Sequence, residues 1–307
     1  MVWRQPSQFR ARTKTICLSG KIIQILQGKT MRIAVCSDLH LEFQDIDLPN
    51  EGADVLILSG DICVERDIDI HDRRQIELGF ARNKSVRLHG FFERVSKNFP
   101  HVLYVMGNHE HYGGRFGKTY AQILEQLPDN VHLLEDETYT IDDVTFVGAT
   151  LWTDFNRADP FTMFAVEKGM NDFRLIGKED VSDMNYFNRT SNRKIDAQFI
   201  LEQHQTSLAY IYDVVKSNDK VIVMTHHAPT SKSVNIDHSG NFLDYAYFSD
   251  LSDIILDNPS IKYYIHGHTH MNVDYMVGDC RVLANQRGYH FEKSAKYFTG
   301  TQSFEVK

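Results

Sequence analysis

From Met31 onward, apolar runs and helical periodicities alternate along the chain. Arg32–Cys36 and Asp54–Leu58 are short, nearly continuous apolar runs, the pattern of strands buried on both faces. Residues 71–99 predict mostly helix, with Ile76, Phe80, Phe91, Phe92 and Val95 loosely at helical spacing. A strand at His101–Met106 and a helix at about Lys118–Leu127 follow. Val131–Leu134, Tyr139–Ile141 and Thr145–Ala149 read as short strands, the last two joined by a tight turn at Asp142-Asp143. Regular structure resumes with a helix at about Lys194–Lys216, a buried strand at Val221–Thr225 and a helix at Asp244–Leu256. Strands at Lys262–His266, Val273–Val277, Arg281–Ala284 and Gln302–Val306 complete the pattern. Such alternation predicts an α/β fold, and the absence of repeats, low-complexity tracts and linkers predicts one domain over residues 31–307.

Two segments break the rhythm. Residues 152–192 are rich in Phe, Asn, Asp and Arg without clear periodicity, and are read as a flap crossing one end of the sheet. Residues 1–30 carry Arg4, Arg10, Arg12, Lys14, Lys21 and Lys29 and no acidic residue, so they are read as a basic leader outside the fold. Lys21 interrupts the apolar stretch Ile16–Leu26, which excludes a secretory signal, while a mitochondrial transit peptide fits the charge. The preferred reading makes Met31 the start: a strand follows it at once, and Gln27-Gly28-Lys29 back-translates to a purine-rich ribosome-binding sequence.

Charge and cysteine content narrow the class. The chain's 33 basic and 41 acidic residues give a net charge of −8, and without the leader the remaining residues carry −14. An acidic body holds an anionic ligand locally, through a metal or a few Arg, rather than on a broad basic face. No apolar run reaches the roughly 18–20 residues of a membrane span, which predicts a protein without a membrane segment. Cys17, Cys36, Cys63 and Cys280 lack paired spacing, which suits reduced, structural thiols and a cytoplasmic setting.

The chemistry gathers where strands end, the place where open α/β sheets bind ligands. Asp38-Leu39-His40, Gly60-Asp61, Gly107-Asn108-His109-Glu110, Thr225-His226-His227 and Gly267-His268-Thr269-His270 each follow a predicted strand. One Asp or His at a strand end is usually a turn or cap residue, but five such sites together exceed what capping explains. In an extended segment residues i and i+2 face one way, so Asp38 with His40, and His268 with His270, present paired ligands. Carboxylate, imidazole and amide donors without thiolate suit Mn²⁺, Fe or Zn²⁺. Six or more ligands exceed the needs of one catalytic ion and suggest two ions sharing a carboxylate.

Taken in order, Asp38-x-His40, Gly60-Asp61, Gly107-Asn108-His109-Glu110, His226 and Gly267-His268-x-His270 resemble the calcineurin-like metallophosphoesterase family, over residues 31 to about 285. The resemblance implies a four-layer α-β-β-α sandwich with a dinuclear metal site on loops at one edge of its two sheets. It implies that Asp38, His40, Asp61 and His270 hold one ion, most readily Mn²⁺. It implies further that Asp61, as bridge, with Asn108, His226 and His268 holds the second. His109 would stand beside the phosphate or donate a proton to the leaving group, with a bridging hydroxide as nucleophile.

His111, Arg157 and Arg174 are candidate substrate contacts, and Trp152, Phe155, Phe161, Phe164 and Phe173 can stack on a base or pack the flap. His227 is expected to point away from the site, and His266 to orient a ligand. The expected activity is hydrolysis of a phosphodiester or phosphomonoester of a small, nucleotide-like molecule. The alternatives are a nuclease, disfavoured by the acidic body, and a non-catalytic metal-stabilised scaffold, disfavoured by the full ligand set.

Overall fold

Two sheets stacked face to face position everything that follows. A computed structural model describes residues 30–68, 82–178, 194–234 and 241–307, with the backbones of strands β1 (Lys14–Leu18) and β2 (Lys21–Ile25). Those two strands pair antiparallel with each other. The expected leader otherwise lies outside the described residues.

The first main sheet contains β3 (Met31–Cys36), β4 (Val55–Ser59), β5 (His101–Val105) and β6 (Val131–Leu133), all parallel. The second contains β7 (Glu137–Ile141), β8 (Val144–Ala149), β9 (Val221–Thr225), β10 (Ile261–Ile265), β11 (Val273–Val277) and β12 (Cys280–Ala284). Its order is β11-β12-β10-β9-β8-β7, with antiparallel strands only at its edges. β13 (Gln302–Val306) closes the first sheet, antiparallel to β3.

The period-2 alternation of side chains divides each parallel strand between two cores. Ile33, Val35, Val55, Ile57, Leu103 and Val105 point inward against Phe146, Ile222, Met224, Ile265 and Leu283 of the other sheet. Their neighbours Ala34, Cys36, Leu56 and Leu58 point outward, under helices α1 (Arg82–Asn98) and α2 (Phe116–Leu124). Helix α1 contributes Leu88, Phe91, Phe92 and Val95 at i, i+3, i+4 and i+7, a stripe that suits one buried face. Its described start at Arg82 is later than predicted, and residues 69–81 lie outside the described set.

Helix α3 (Pro160–Gly169) lies in the segment expected to be irregular. Asp159 accepts a hydrogen bond from the Thr162 amide at 2.8 Å and Pro160 takes the first turn, so a capped start outweighs the poor periodicity. Residues 179–192 of the expected flap lie outside the described residues. Trp152, Phe155 and Phe173 pack with Ile200 and Leu201 of helix α4 (Ala197–Ser217), whereas Phe161 and Phe164 are exposed. The outer face of the second sheet is covered by α4 and α5 (Ser252–Asp257), through Ile211, Val215 and Ile255. Four layers, α-β-β-α, result.

The helix expected over 244–256 is broken. Residues Phe242–Ala246 form a 3₁₀ turn, and Phe248 bridges to Ala228 in the loop after β9. The Ala228 amide donates to the Tyr247 carbonyl at 3.0 Å and the Leu251 amide to the Pro229 carbonyl at 2.8 Å. Those tertiary bonds hold 247–251 non-helical, and α5 begins only at Ser252. Among the described residues, no helix is long and apolar enough to cross a membrane. Cys36, Cys63 and Cys280 are buried and unpaired.

Candidate metal centre

The five sequence motifs meet at the C-terminal ends of β3, β4, β5, β9 and β10, where parallel strands discharge their loops on one side. The loops bind one another as well as any ligand. The Asp38 amide donates to the Gly60 carbonyl and the His40 amide to the Asp61 carbonyl, each at 3.0 Å. Across the sheets, the His268 amide donates to Asp38 Oδ1 at 3.0 Å; within the second sheet, the Gly267 amide donates to the His226 carbonyl at 3.0 Å. Glu110 gathers two loops by accepting from the amides of Asp61 (3.1 Å), Ile62 (2.8 Å), Cys63 (3.4 Å) and Gly107 (2.7 Å), and from the Tyr104 hydroxyl (2.6 Å).

Paired presentation of ligands arises differently from the expected extended backbone. Asp38, His40, Asp61, His268 and His270 all have positive φ, between 47° and 72°. Left-handed backbone costs a non-glycine residue about 1–2 kcal/mol, and such strain clusters where side chains must converge. The loops are also tight. A Cβ at Gly107 would lie 2.2 Å from Asp61 Oδ1, and one at Gly60, whose φ is +85°, 2.3 Å from His226 Nδ1.

The donors form two groups around Asp61. In the first, His40 Nε2 faces His270 Nε2 at 3.2 Å, His270 Nε2 lies 3.5 Å from Asp38 Oδ1, and His40 Nε2 lies 3.9 Å from Asp61 Oδ2. In the second, His226 Nε2 faces Asn108 Oδ1 and His268 Nδ1, each at 3.1 Å, and Asp61 Oδ1 at 3.4 Å. Hydrogen bonding fixes which atoms carry lone pairs. The Nδ1 atoms of His40, His270 and His226 sit on Glu42 Oε1 (3.2 Å), Glu292 Oε2 (2.7 Å) and the Ser59 carbonyl (2.9 Å). Those oxygens only accept, so each Nδ1 bears hydrogen and each ring, when neutral, presents a bare Nε2 to the centre. Asn108 is oriented likewise: Nδ2 donates to Asp172 Oδ1 (2.8 Å) and the Tyr112 hydroxyl (3.0 Å), leaving Oδ1 inward.

Lone pairs aimed at one another within about 3 Å repel unless a cation lies among them, so the donor set fits metal. Electrostatics agree. Burial pushes the His226 ring down to about 4, which keeps it neutral and able to ligate. Burial, with Glu110 and Asp38 nearby, raises Asp61 well above the carboxylate range, a preference that a bound cation reverses. His270 is buried, yet hydrogen bonds to Asp38 and Glu292 hold it up at about 10, so this group of side chains calls for positive charge.

His109 opens the 3₁₀ turn His109–His111 and stands beside the donors. Its Nδ1 meets Glu42 Oε1 at 3.2 Å, its Nε2 meets the Tyr289 hydroxyl at 3.0 Å, and Nε2 is 3.9 Å from Asp61 Oδ2. Glu42 therefore spans His40 and His109; burial opposes its charge, but hydrogen bonds from both rings bring it down to about 2. A cleft of about 810 Å³ opens over Asp61, Asn108, His109, His268 and His270. Tyr112, Tyr247, Tyr289, Met170, Leu243 and Lys293 contribute to its wall.

The three expected substrate contacts do not line this cleft. His111 is buried and stacked on Phe116, with ring centroids 4.6 Å apart, because the 3₁₀ turn directs it inward behind His109. Arg157 is exposed on a left-handed turn, Phe155–Ala158. Arg174 is exposed and donates to Asn171 Oδ1 at 2.6 Å, bracing a wall residue from outside. His227 packs on the ring of His268 (4.3 Å) and on Trp152 (5.2 Å), and its Nδ1 sits on the Thr150 carbonyl at 3.2 Å, so it lies behind the donors as packing. His266 binds Ser233 Oγ (2.8 Å) and the Gly267 carbonyl (2.9 Å), so it holds loop backbone rather than a ligand side chain. Sequence reasoning missed Glu42, Asp172, Tyr289 and Glu292. Only Glu42 left a trace, two residues beyond His40 in Asp38-x-His40-x-Glu42.

The family model for calcineurin-like phosphoesterases matches residues 31–272. Protein L509 of Acanthamoeba polyphaga mimivirus is 28% identical over 278 residues, covering 84% of this chain and 91% of its own. The crystal structure of a phosphopantetheinyl hydrolase from Mycobacterium tuberculosis superposes with a TM-score of 0.62 at 14% identity, covering 90% of this chain and 96% of that one. A dimetal phosphatase from Danio rerio gives a TM-score of 0.49 at 12% identity, covering 83% and 86%. Sequence match, four-layer sandwich and converging donors agree: the chain belongs to the calcineurin-like phosphoesterase family, metal-binding hydrolases that act on phosphoric esters.

Proposed function

We propose that this phosphoesterase hydrolyses a phosphodiester or phosphomonoester of a small molecule at a centre of two divalent ions, with Mn²⁺ as the expected metal. The observation that carries this reading is the convergence of two sets of lone-pair donors on the two oxygens of Asp61. Asp38, His40, Asp61 and His270 would hold one ion, and Asp61, Asn108, His226 and His268 the other. Two such ions neutralise a phosphate and make water acidic enough to attack at neutral pH.

The chain's own residues do the rest. Asn108 supplies a neutral oxygen where an anionic ester must approach, which limits repulsion. Glu42 fixes the His109 tautomer, so that Nε2 faces the cleft on the side of Asp61. An alkoxide leaving group needs a proton, and the His109 position supports that supply. The cleft wall favours a small ester over nucleic acid: Lys293 is the one Lys or Arg among its described lining residues, beside Asp244 and Glu292. A bound duplex needs several phosphate contacts from Lys or Arg.

The test is a metal-reconstituted panel of nitrophenyl mono- and diesters, cyclic nucleotides, and single- and double-stranded DNA, with elemental analysis of the protein. Turnover of small esters, with Asp61→Ala losing both bound metal and activity, is expected. DNA cleavage exceeding small-ester turnover would establish the nuclease instead, and no turnover with Mn²⁺ the scaffold.

A further inference from the structure

A phosphoester consists of a phosphate and an organic group, and one wall of the cleft suits the second. Tyr112, Met170, Leu243 and Tyr247 line the cleft together. All four are half-buried and pack against the apolar cluster that contains Trp152, Phe155, Phe173 and Ala246. The wall is therefore the outer surface of a packed core, ordered before any ligand arrives. Its fit is close: a Cβ at Gly169, the last residue of α3, would lie 2.4 Å from Leu243 Cδ2. Tyr112 offers its ring rather than its hydroxyl, which donates to Asp172 Oδ1 at 2.7 Å.

This wall begins at the centre itself. Tyr247 packs on the ring of His268, with centroids 5.0 Å apart, and Tyr112 on that of His109, at 4.2 Å. An organic group carried on a phosphorus at the donors therefore has the wall within reach. Charge narrows what that group can be. Apart from the donors and His109, the charged side chains among the described lining residues are Asp244, Glu292 and Lys293. Two carboxylates against one ammonium disfavour a second anionic group, and no Arg lines the cleft to clamp one bidentately. Moving apolar surface from water onto the wall is favourable.

We propose that Tyr112, Met170, Leu243 and Tyr247 form a specificity subsite that selects esters of an uncharged, apolar alcohol, with an aryl group as the best fit. The inference rests on the phosphoesterase reading above and concerns the group beyond the ester oxygen. The two tyrosine rings supply broad apolar faces for another ring. Met170 supplies a flexible, polarisable thioether that packs well at a ring edge. Met170 directly follows α3, so the segment expected to act as a flap does shape the cleft, through an apolar side chain rather than an arginine. Esters that carry a second phosphate or a carboxylate are discriminated against by Asp244 and Glu292.

The test measures binding to the Mn²⁺-loaded protein by calorimetry, with ethylphosphonate, benzylphosphonate and para-carboxybenzylphosphonate as probes. In each a methylene replaces the ester oxygen, so the phosphate-like head is kept and hydrolysis is blocked. Benzylphosphonate is expected to bind about 10-fold tighter than ethylphosphonate, the order of discrimination that an apolar pocket gives. The carboxylated probe should bind no tighter than ethylphosphonate. Leu243→Ala and Met170→Ala should each cut the benzyl-to-ethyl affinity ratio to about 3-fold or less, with metal content equal to wild type. Because the readout is a ratio, a change shared by all probes at the metal centre cancels. Equal binding of benzyl and ethyl probes by wild type, a ratio unchanged in both variants, or tightest binding of the carboxylated probe would overturn the proposal. Metal-loaded wild type that binds none of the three probes would instead remove the phosphoesterase reading beneath it.

Discussion

Glu110 is buried and accepts five hydrogen bonds, four of them from amides on the two loops that carry Asp61 and Asn108. Glu110→Gln replaces one acceptor by a donor and sets it against amide hydrogens. A loss of about 3 kcal/mol in urea unfolding is expected. Metal affinity should fall 10–100-fold in a metal titration, because the ligand loops lose their common clamp. His111 gives a prediction in pH. Burial lowers its pKa to about 3 from the ordinary 6.5, so the unfolded chain takes up the proton first. Its contribution is complete above about pH 6.5 and is lost as pH falls toward 3, by about 1.4 kcal/mol per pH unit. His111→Phe preserves the stack on Phe116 and removes that slope. Urea melts at pH 7.5, 5.5 and 4.5 should therefore show the variant gaining on wild type as pH falls. The sequence showed the ligand types but not these supports, since Glu110 and His111 are assigned by what surrounds them in space.

At the scale of elements, the loops after five strands carry the specificity of the fold. Gly107→Ala drives a Cβ to within 2.2 Å of Asp61 Oδ1 and 2.7 Å of the Asp61 amide nitrogen, so loss of bound metal is expected by elemental analysis. Gly52→Ala is the control. Its φ of +90° makes the substitution cost about 1–2 kcal/mol, but nothing lies within 4 Å of the new Cβ and metal content should be unchanged. The parallel strands were legible because a strand buried on both faces needs a continuous apolar run, as in Val55–Leu58. The helix over 244–256 was misread because its local periodicity is overruled by bonds from 247 and 251 to the Ala228–Pro229 loop. Helix α3 was legible in principle from Asp159-Pro160-x-Thr162, a start pattern that weak amphipathicity obscured.

Across the whole molecule, two parallel-rich sheets bring strand ends from residues 38 to 270 onto one edge, with an apolar core between them. A centre of mutually repelling donors makes the folded state costly without cations. Metal should therefore stabilise the protein by about 2.7 kcal/mol at 100 times its Kd. Thermal melts with Mn²⁺ against melts with a chelator measure this, and Asp61→Ala should erase the difference.

The sequence by itself determined the succession of strands along the chain, the candidate ligands and their grouping at five strand ends, because apolar runs and the residue types that bind hard cations are local features. Only the tertiary structure decided how the ligands converge, through left-handed backbone at five of them rather than an extended strand. It alone supplied Glu42, Asp172, Tyr289 and Glu292 as partners, and it withdrew His111, Arg157 and Arg174 from the cleft. The physical reason is range. Periodicity reports which face of an element is buried, whereas a hydrogen bond between His109 and Tyr289 joins residues 180 apart and exists only once both sheets have packed.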